Sequence, residues 1–307
     1  MKKPWLIYAL VTTGFWGVWG AFAEFPTRHG FPETLVYVVW ALTMIPPALY
    51  AMRRVGWRVQ RDSKSILLGS LIGLTGAGGQ MLLFHAVHTG PTYLIFPIIA
   101  LSPVVTIALS MVLLKERVSR VGAIGVILAL IALPLFNYSP TDDAATAAAA
   151  TVVGGGQAVT WFVYALVILL AWGVQGYFMK LANGSMDAEN IFLYMTLTSL
   201  LLIPVALWMT DFSVPIEYGW QGPGLAAITQ ILNAVGALTL VYAFRHGRAL
   251  VVAPLANAGA PMITAIISMM VLGAMPNSVT IAAIVMASGA AALLAIEPEE
   301  KLIEQPV

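Results

Sequence analysis

Apolar residues fill this chain in long blocks separated by short polar or Pro/Gly breaks, instead of forming one stripe on otherwise polar helices. A helix needs about 20 mostly apolar residues to cross a hydrocarbon layer of about 30 Å. Ten such stretches account for nearly the whole length. They are Pro4 to Ala23, Glu33 to Met52, Ser65 to His88, Pro91 to Leu114, Val121 to Phe136, Ala158 to Met179, Asn190 to Met209, Trp220 to Phe244, Ala249 to Leu272 and Asn277 to Ile296. The pattern predicts an all-α integral membrane protein of ten transmembrane helices, multi-pass in a plasma or inner membrane.

Composition fits that solvent. Of 307 residues, 60% are apolar and 9% charged, against roughly a quarter charged in soluble domains. Short cytoplasmic loops collect Lys and Arg, and assigning the 15 basic residues to alternate sides leaves Arg28 alone on one of them. Both termini are therefore expected inside. The basic run from Arg53 to Lys64 reads as a topology signal, so no nucleic-acid partner is expected. Without Cys there is no disulfide framework, thiolate metal site or Cys nucleophile, and no residue set calls for a cofactor. Lys2 and Lys3 before an apolar run ending Ala21-Phe22-Ala23 imitate a cleavable secretory signal. Recurrence of the same texture deep in the chain argues against cleavage.

That recurrence is a repeat. Trp16-Gly17-Val18-Trp19-Gly20-Ala21-Phe22 aligns with Trp172-Gly173-Val174-Gln175-Gly176-Tyr177-Phe178, Glu33 with Glu189, Pro47 with Pro204, Leu83 to Gly90 with Leu240 to Gly247, and Pro97 with Pro254. Five helices is an odd number, so the second copy enters from the opposite side. Equivalent loops exchange charge accordingly: Lys115-Glu116-Arg117 against Gly273 to Asn277, and His88 to Pro91 against Arg245-His246-Gly247-Arg248. The expected organisation is a first repeat over 1–136, an external linker over 137–157, an inverted second repeat over 158–296 and an acidic cytoplasmic tail over 297–307. Gly154-Gly155-Gly156 is no phosphate loop, since no Lys-Ser/Thr follows.

The run Gly90-Pro91-Thr92-Tyr93 through Pro97, Pro103, Leu113-Leu114-Lys115-Glu116-Arg117 and Gly122 to Ala132 resembles the EamA repeat of the drug/metabolite transporter superfamily. So does Gly247-Arg248-Ala249 through Pro254, Pro261, Leu272-Gly273 and Ser278 to Leu293, with Ala274 where the repeat usually carries an acidic residue. The resemblance spans residues 5 to 296 and implies a permease for amino acids, amphiphilic metabolites, sugars or nucleotide sugars. It also implies a central cavity lined by the first, third, fourth, sixth, eighth and ninth helices.

The residues supply candidates of their own. Pro97 with Pro103, and Pro254 with Pro261, remove backbone hydrogen bonds in the fourth and ninth helices. Helix breaks at corresponding positions of two halves point to a transporter binding site, the alternative being kinks satisfied by neighbouring helices. Counting from helix ends puts Trp16, Trp172, Gln175, Gln230 and Asn233 at mid-depth, with Gln80 and Asn257 somewhat off it. Paired indoles with a few amides suit an amphipathic ligand. The alternatives are helix-to-helix bonds worth about 0.6 to 2 kcal/mol for the amides, and lipid-facing or structural roles for the indoles. The candidate substrate site is thus Trp16, Gln80, Pro97, Trp172, Gln175, Asn233, Pro254 and Asn257.

Intramembrane ionisable groups mark ion coupling. Glu24, His85 and His88 are the coupling candidates, the two histidines sharing a face at i, i+3. No third ligand accompanies them, so no metal site is expected. Lys180 is the repeat equivalent of Glu24, but inversion separates the two by about 30 Å, and each is expected to snorkel to its own surface. Glu116 is expected to pair with Lys115, Arg117 or Arg120. Ala283, Ala287 and Ala291 form a small-residue seam, used either within the chain or in a homodimer.

The leading function is alternating-access transport of a small neutral or zwitterionic metabolite, with efflux favoured by family analogy. A lipid scramblase or a non-transporting sensor is the alternative. A membrane enzyme lacks the convergent nucleophile, acid/base pair or metal set that catalysis needs. Substituting Pro97 and Pro254 by Ala should lower transport more than expression; unchanged uptake into vesicles at equal protein level would remove the prolines from the mechanism.

Overall fold

The computed structural model describes residues 3–89, 95, 98–136, 155–272 and 277–296. Among them every regular element is a helix: α1 (Pro4–Phe22), α2 (Phe25–Arg28), α3 (Glu33–Thr43), α4 (Ile45–Arg54), α5 (Ser63–Thr89), α6 (Ser102–Leu113), α7 (Arg120–Phe136), α8 (Gly155–Ala182), α9 (Ala188–Leu201), α10 (Ile203–Met209), α11 (Leu225–His246) with a π-helical turn (Trp220–Gly224) leading into it, α12 (Ala249–Leu272) and α13 (Ser278–Ala295). Eight helical units among the described residues are long and apolar enough to cross a membrane, and the apolar helices Ser102–Leu113 and Arg120–Leu135 are shorter. The expected start of the fourth span, the linker from 137 to 154 and the tail from 297 lie outside the described residues.

Sequence chemistry accounts for the helix ends. The second expected span is two helices, because Pro46 and Pro47 have no N–H to donate and α3 gives way at Met44. Its counterpart breaks in the same way at Leu202, ahead of Pro204. Asp62 opens α5 by accepting the Ser65 backbone N–H at 3.0 Å. The hydroxyl and amide of Ser65 hold the Asp62 carboxyl below the usual carboxylate range. At α13, Asn277 accepts the Thr280 N–H at 2.8 Å.

Small residues then set how closely the helices approach. Along α1, Thr13 meets Gly259, Gly17 meets Ile263 and Gly20 meets Thr264, so α1 and α12 run alongside each other in the same direction. Along α8, Gly173 meets Val105 and Gly176 meets Thr106, giving α8 the same relation to α6. The side-chain bonds match as well: Thr264 donates to the Gly17 carbonyl at 2.9 Å, and Thr106 to the Gly173 carbonyl at 2.8 Å. These contacts follow the sequence repeat residue by residue. The remaining seam is internal, since Ala129 and Ala132 of α7 share a cluster with Ala287 and Ala290 of α13.

The outer surface is apolar. Val112 is 72% exposed, Leu201 71% and Trp208 85%, an apolar exterior that suits contact with lipid. Polar side chains turn inward and bond to the protein: the Tyr37 hydroxyl donates to the Ser199 carbonyl at 3.0 Å, and the Thr34 and Thr210 hydroxyls share a bond of 2.7 Å.

Gly17→Leu and Gly173→Leu should each lower the thermal midpoint in detergent, by the roughly 1–3 kcal/mol that overpacking costs. Gly14→Ala should not, because a methyl group there meets nothing within 4 Å. Equal effects at all three positions would refute the close-approach account.

Candidate functional site

A cavity of about 410 Å³ lies where α1, α3, α5, α6, α7, α8, α9, α11 and α12 converge. Trp16 and Trp172 stand on its wall in equivalent settings. The Trp16 indole crosses Gly236 and donates to the Asn233 carbonyl at 3.2 Å; the Trp172 indole crosses Gly79 and donates to the Gly76 carbonyl at 3.2 Å. With both N–H groups already engaged, these rings offer a ligand their faces. Any side chain larger than hydrogen at Gly79 or Gly236 would displace the rings.

The amides divide by what they already bond. Asn257 donates to the Ala253 carbonyl at 2.8 Å, and Asn233 to Gln230 at 3.5 Å. Gln80 and Gln175 also line the cavity, and their amides have no protein partner among the described residues. They are the polar groups most available to a solute. Gln230 is buried and does not line the cavity. Pro103 and Pro261 line it, whereas Pro254 is buried within α12 and Pro97 lies outside the described residues. The first copy breaks ahead of Pro103, but α12 runs unbroken through Pro254 and Pro261.

Sequence reasoning missed several lining side chains: Trp19, Trp40, Met44, Met179 and Met195. Trp19 was within reach, since the repeat aligns it with Gln175. Trp40 and Met195 come from α3 and α9 and Met44 from the α3–α4 junction; the buried polar residues of α3 and α9, such as Thr34, Asn190 and Ser199, do not line the cavity and so do not point to these neighbours. The Trp19 and Trp40 indole N–H groups are buried without a hydrogen-bond partner among the described residues. Among the described residues that line the cavity, none is ionisable.

The charged candidates sit elsewhere. Glu24 is exposed and pairs with Arg28 at 2.8 Å, one turn along a surface helix. The side chains of His85 and His88 lie outside the described residues. Lys180 corrects the expectation of a surface lysine: its side chain is 12% exposed, and its ammonium donates to the carbonyls of Gly247 at 2.7 Å and Phe244 at 3.3 Å. Those carbonyls close the C-terminal end of α11, where a cation is favoured. Glu116, expected among its flanking cations, is buried and accepts the Ala249 and Leu250 N–H groups, both at 3.1 Å, at the first turn of α12. Lys180 lies 3.9 Å from it. This clasp lies against the cavity's end, because Met179 and Phe244 both line the cavity. Arg248, donating to the Arg117 carbonyl at 2.8 Å, ties the same end together.

The sequence profile of the EamA-like transporter family matches residues 3–138 and 159–296. The chain belongs to the EamA-like transporter family. It is a membrane protein of a transporter family rather than of an enzyme family. This EamA-like chain is also 24% identical over 134 residues to the uncharacterized protein MJ1333.1 of Methanocaldococcus jannaschii, a match covering 44% of this chain and 96% of the relative. The relative is therefore about half the size of this EamA-like chain. A crystal structure of a protein shares the fold at TM-score 0.74 and 17% identity, over 95% of this chain and 96% of its own.

Lys180→Met should take a cation from beside the Glu116 carboxylate, which keeps its two α12 N–H bonds, and destabilise the protein by about 3 kcal/mol, the lower end for one member of a buried pair. Adding Glu116→Gln should restore part of the loss. Melting temperatures in detergent decide, and a double variant no better than the single would mean that the two groups do not act as a pair.

Proposed function

We propose that the chain is a secondary transporter that moves a small, neutral or zwitterionic amphipathic metabolite by alternating access. In this reading ten spans form two inverted five-helix repeats, 1–136 and 158–296, joined by an external linker and followed by a cytoplasmic tail. Both termini are cytoplasmic, and the protein resides in the cell membrane. Export is the direction favoured by family analogy alone. The substrate site is the cavity around Trp16, Trp172, Gln80, Gln175, Asn233 and Asn257, with Pro97 and Pro254 serving the helix motions.

The observation that carries the proposal is that equivalent residues of both halves meet across one central cavity. A site built in duplicate about a pseudo-twofold relation is presented equally to either side when the halves exchange conformations. The α1–α12 and α8–α6 pairs supply the two moving units, each welded by glycines. The lack of an ionisable lining residue among those described favours a solute without net charge, since a charged solute needs a counter-charge once it leaves water. Indole faces with two unengaged amides match an apolar body bearing a few hydrogen-bonding groups. The clasp of Glu116, Lys180 and the α11–α12 turn supports reading this conformation as shut at the end rich in Lys and Arg.

Counterflow into liposomes tests the reading, with labelled amino acids, polyamines, sugars and nucleotide precursors and no imposed ion gradient. Accumulation of one chemical class, lost in Trp16→Ala/Trp172→Ala, is the expected result. Strict retention of the whole panel by folded protein, with labelled lipid crossing the bilayer instead, would replace carrier activity with scrambling.

A further inference from the structure

A second cavity, of about 390 Å³, lies outside the central one, between α1, α4 and α11. Its walls are apolar: Pro46 and Pro47 at the α3–α4 break, and Ile231, Val235 and Leu238 along one face of α11. At one end it gains Tyr8, Tyr50, Arg54 and Tyr242. From Ile231 to Tyr242 the groove follows about 16 Å of helix at 1.5 Å per residue, roughly half of a 30 Å hydrocarbon layer. It has the depth of one leaflet.

We propose that this groove holds one anionic phospholipid of the leaflet on the Arg-rich side, its acyl chain along α11 and its phosphate on Arg54. Exposure supports a lipid occupant: Leu49 is 51% exposed and Tyr50 61%, so the groove opens on the surface that faces the bilayer. Charge complementarity supports an anionic one. Arg54 ends α4 beside Arg53, and no carboxylate pairs with it among the described residues. Other polar groups along the groove are already engaged. Thr239 bonds Thr12 at 2.8 Å, and the Tyr242 hydroxyl donates to Glu189 at 2.9 Å. Stacking fixes the Tyr242 ring against Tyr8 at 5.1 Å. The Tyr50 hydroxyl faces the guanidinium; the remaining guanidinium N–H groups and the Tyr8 hydroxyl are left to meet a headgroup, and a guanidinium presents parallel N–H donors to phosphate oxygens.

The groove takes no part in the central cavity, so the proposal stands independently of the transported solute. Native mass spectrometry of the full chain in mild detergent tests it, with phosphatidylglycerol and phosphatidylcholine of equal chain length as probes. One retained phosphatidylglycerol is expected, in preference to phosphatidylcholine. Arg54→Gln should weaken it about fivefold, the effect of one basic residue near an anionic surface, and Arg53→Gln should leave it unchanged. Equal loss in the two variants would mean diffuse attraction and overturn the site, as would equal retention of the two lipids. sn-Glycerol 3-phosphate at millimolar concentration should fail to displace the lipid; displacement would identify a free-phosphate site and refute the acyl groove.

Discussion

In hydrocarbon a polar group has only the protein to bond to, and most of this architecture follows from that constraint. Threonines of the helices donate back to their own turns, as Thr13 does to Ala9 and Thr196 to Phe192, both within 3.0 Å. The Trp16 and Trp172 indoles use their N–H groups on backbone carbonyls of the facing helix. Once these bonds are made, the amides of Gln80 and Gln175 are left facing the central cavity. A solute with its own donors and acceptors can satisfy them there, so the cavity's polarity comes from groups the fold does not need for itself.

Close approach is the second consequence. Apolar side chains gain little by meeting each other when lipid is as apolar as they are, so helices associate where backbones come near enough for dense contact. Gly17 and Gly20 provide this between α1 and α12, and Gly173 and Gly176 between α8 and α6. Because each glycine pair lies within a few residues of a cavity tryptophan, the packing that joins the helices also sets the depth of the indoles. Thr106 and Thr264 reinforce the arrangement with one bond each to the backbone at the glycine contact.

The sequence made the spans legible because a block of apolar residues has few structures available in lipid. The α3–α4 and α9–α10 breaks were not read, although Pro46-Pro47 and Pro204 were in view, since a proline near mid-span is compatible with either a kink or a full break. Trp16, Trp172, Gln80, Gln175, Asn233 and Asn257, all on the cavity wall, were legible as candidates because each indole or amide sits near mid-span in the sequence. Trp40, Met44 and Met195 were not, since the buried polar residues of α3 and α9 bond within the protein and away from the cavity, so they do not mark the face that lines it. Lys180 was misread for a related reason. A lysine next to a helix end suggests a route to water, and only the fold brings the α11 carbonyls and Glu116 around it.

Lys180 also breaks the symmetry that the glycine seams and the paired indoles keep. Its repeat equivalent is Glu24, which is exposed and pairs with Arg28; the equivalent of Glu116 is Ala274. The Glu116–Lys180 clasp therefore has no copy built from the corresponding residues of the opposite end. On the alternating-access reading, two halves with identical contacts would give end states of equal energy. A buried carboxylate that holds the first turn of α12, together with an ammonium that holds the last turn of α11, favours the state in which those helix ends meet. Opening that end must break these bonds and hydrate both charges. On that reading the cluster biases the empty protein toward the closed end, and the duplicated glycine seams are the units that would move on either side of it.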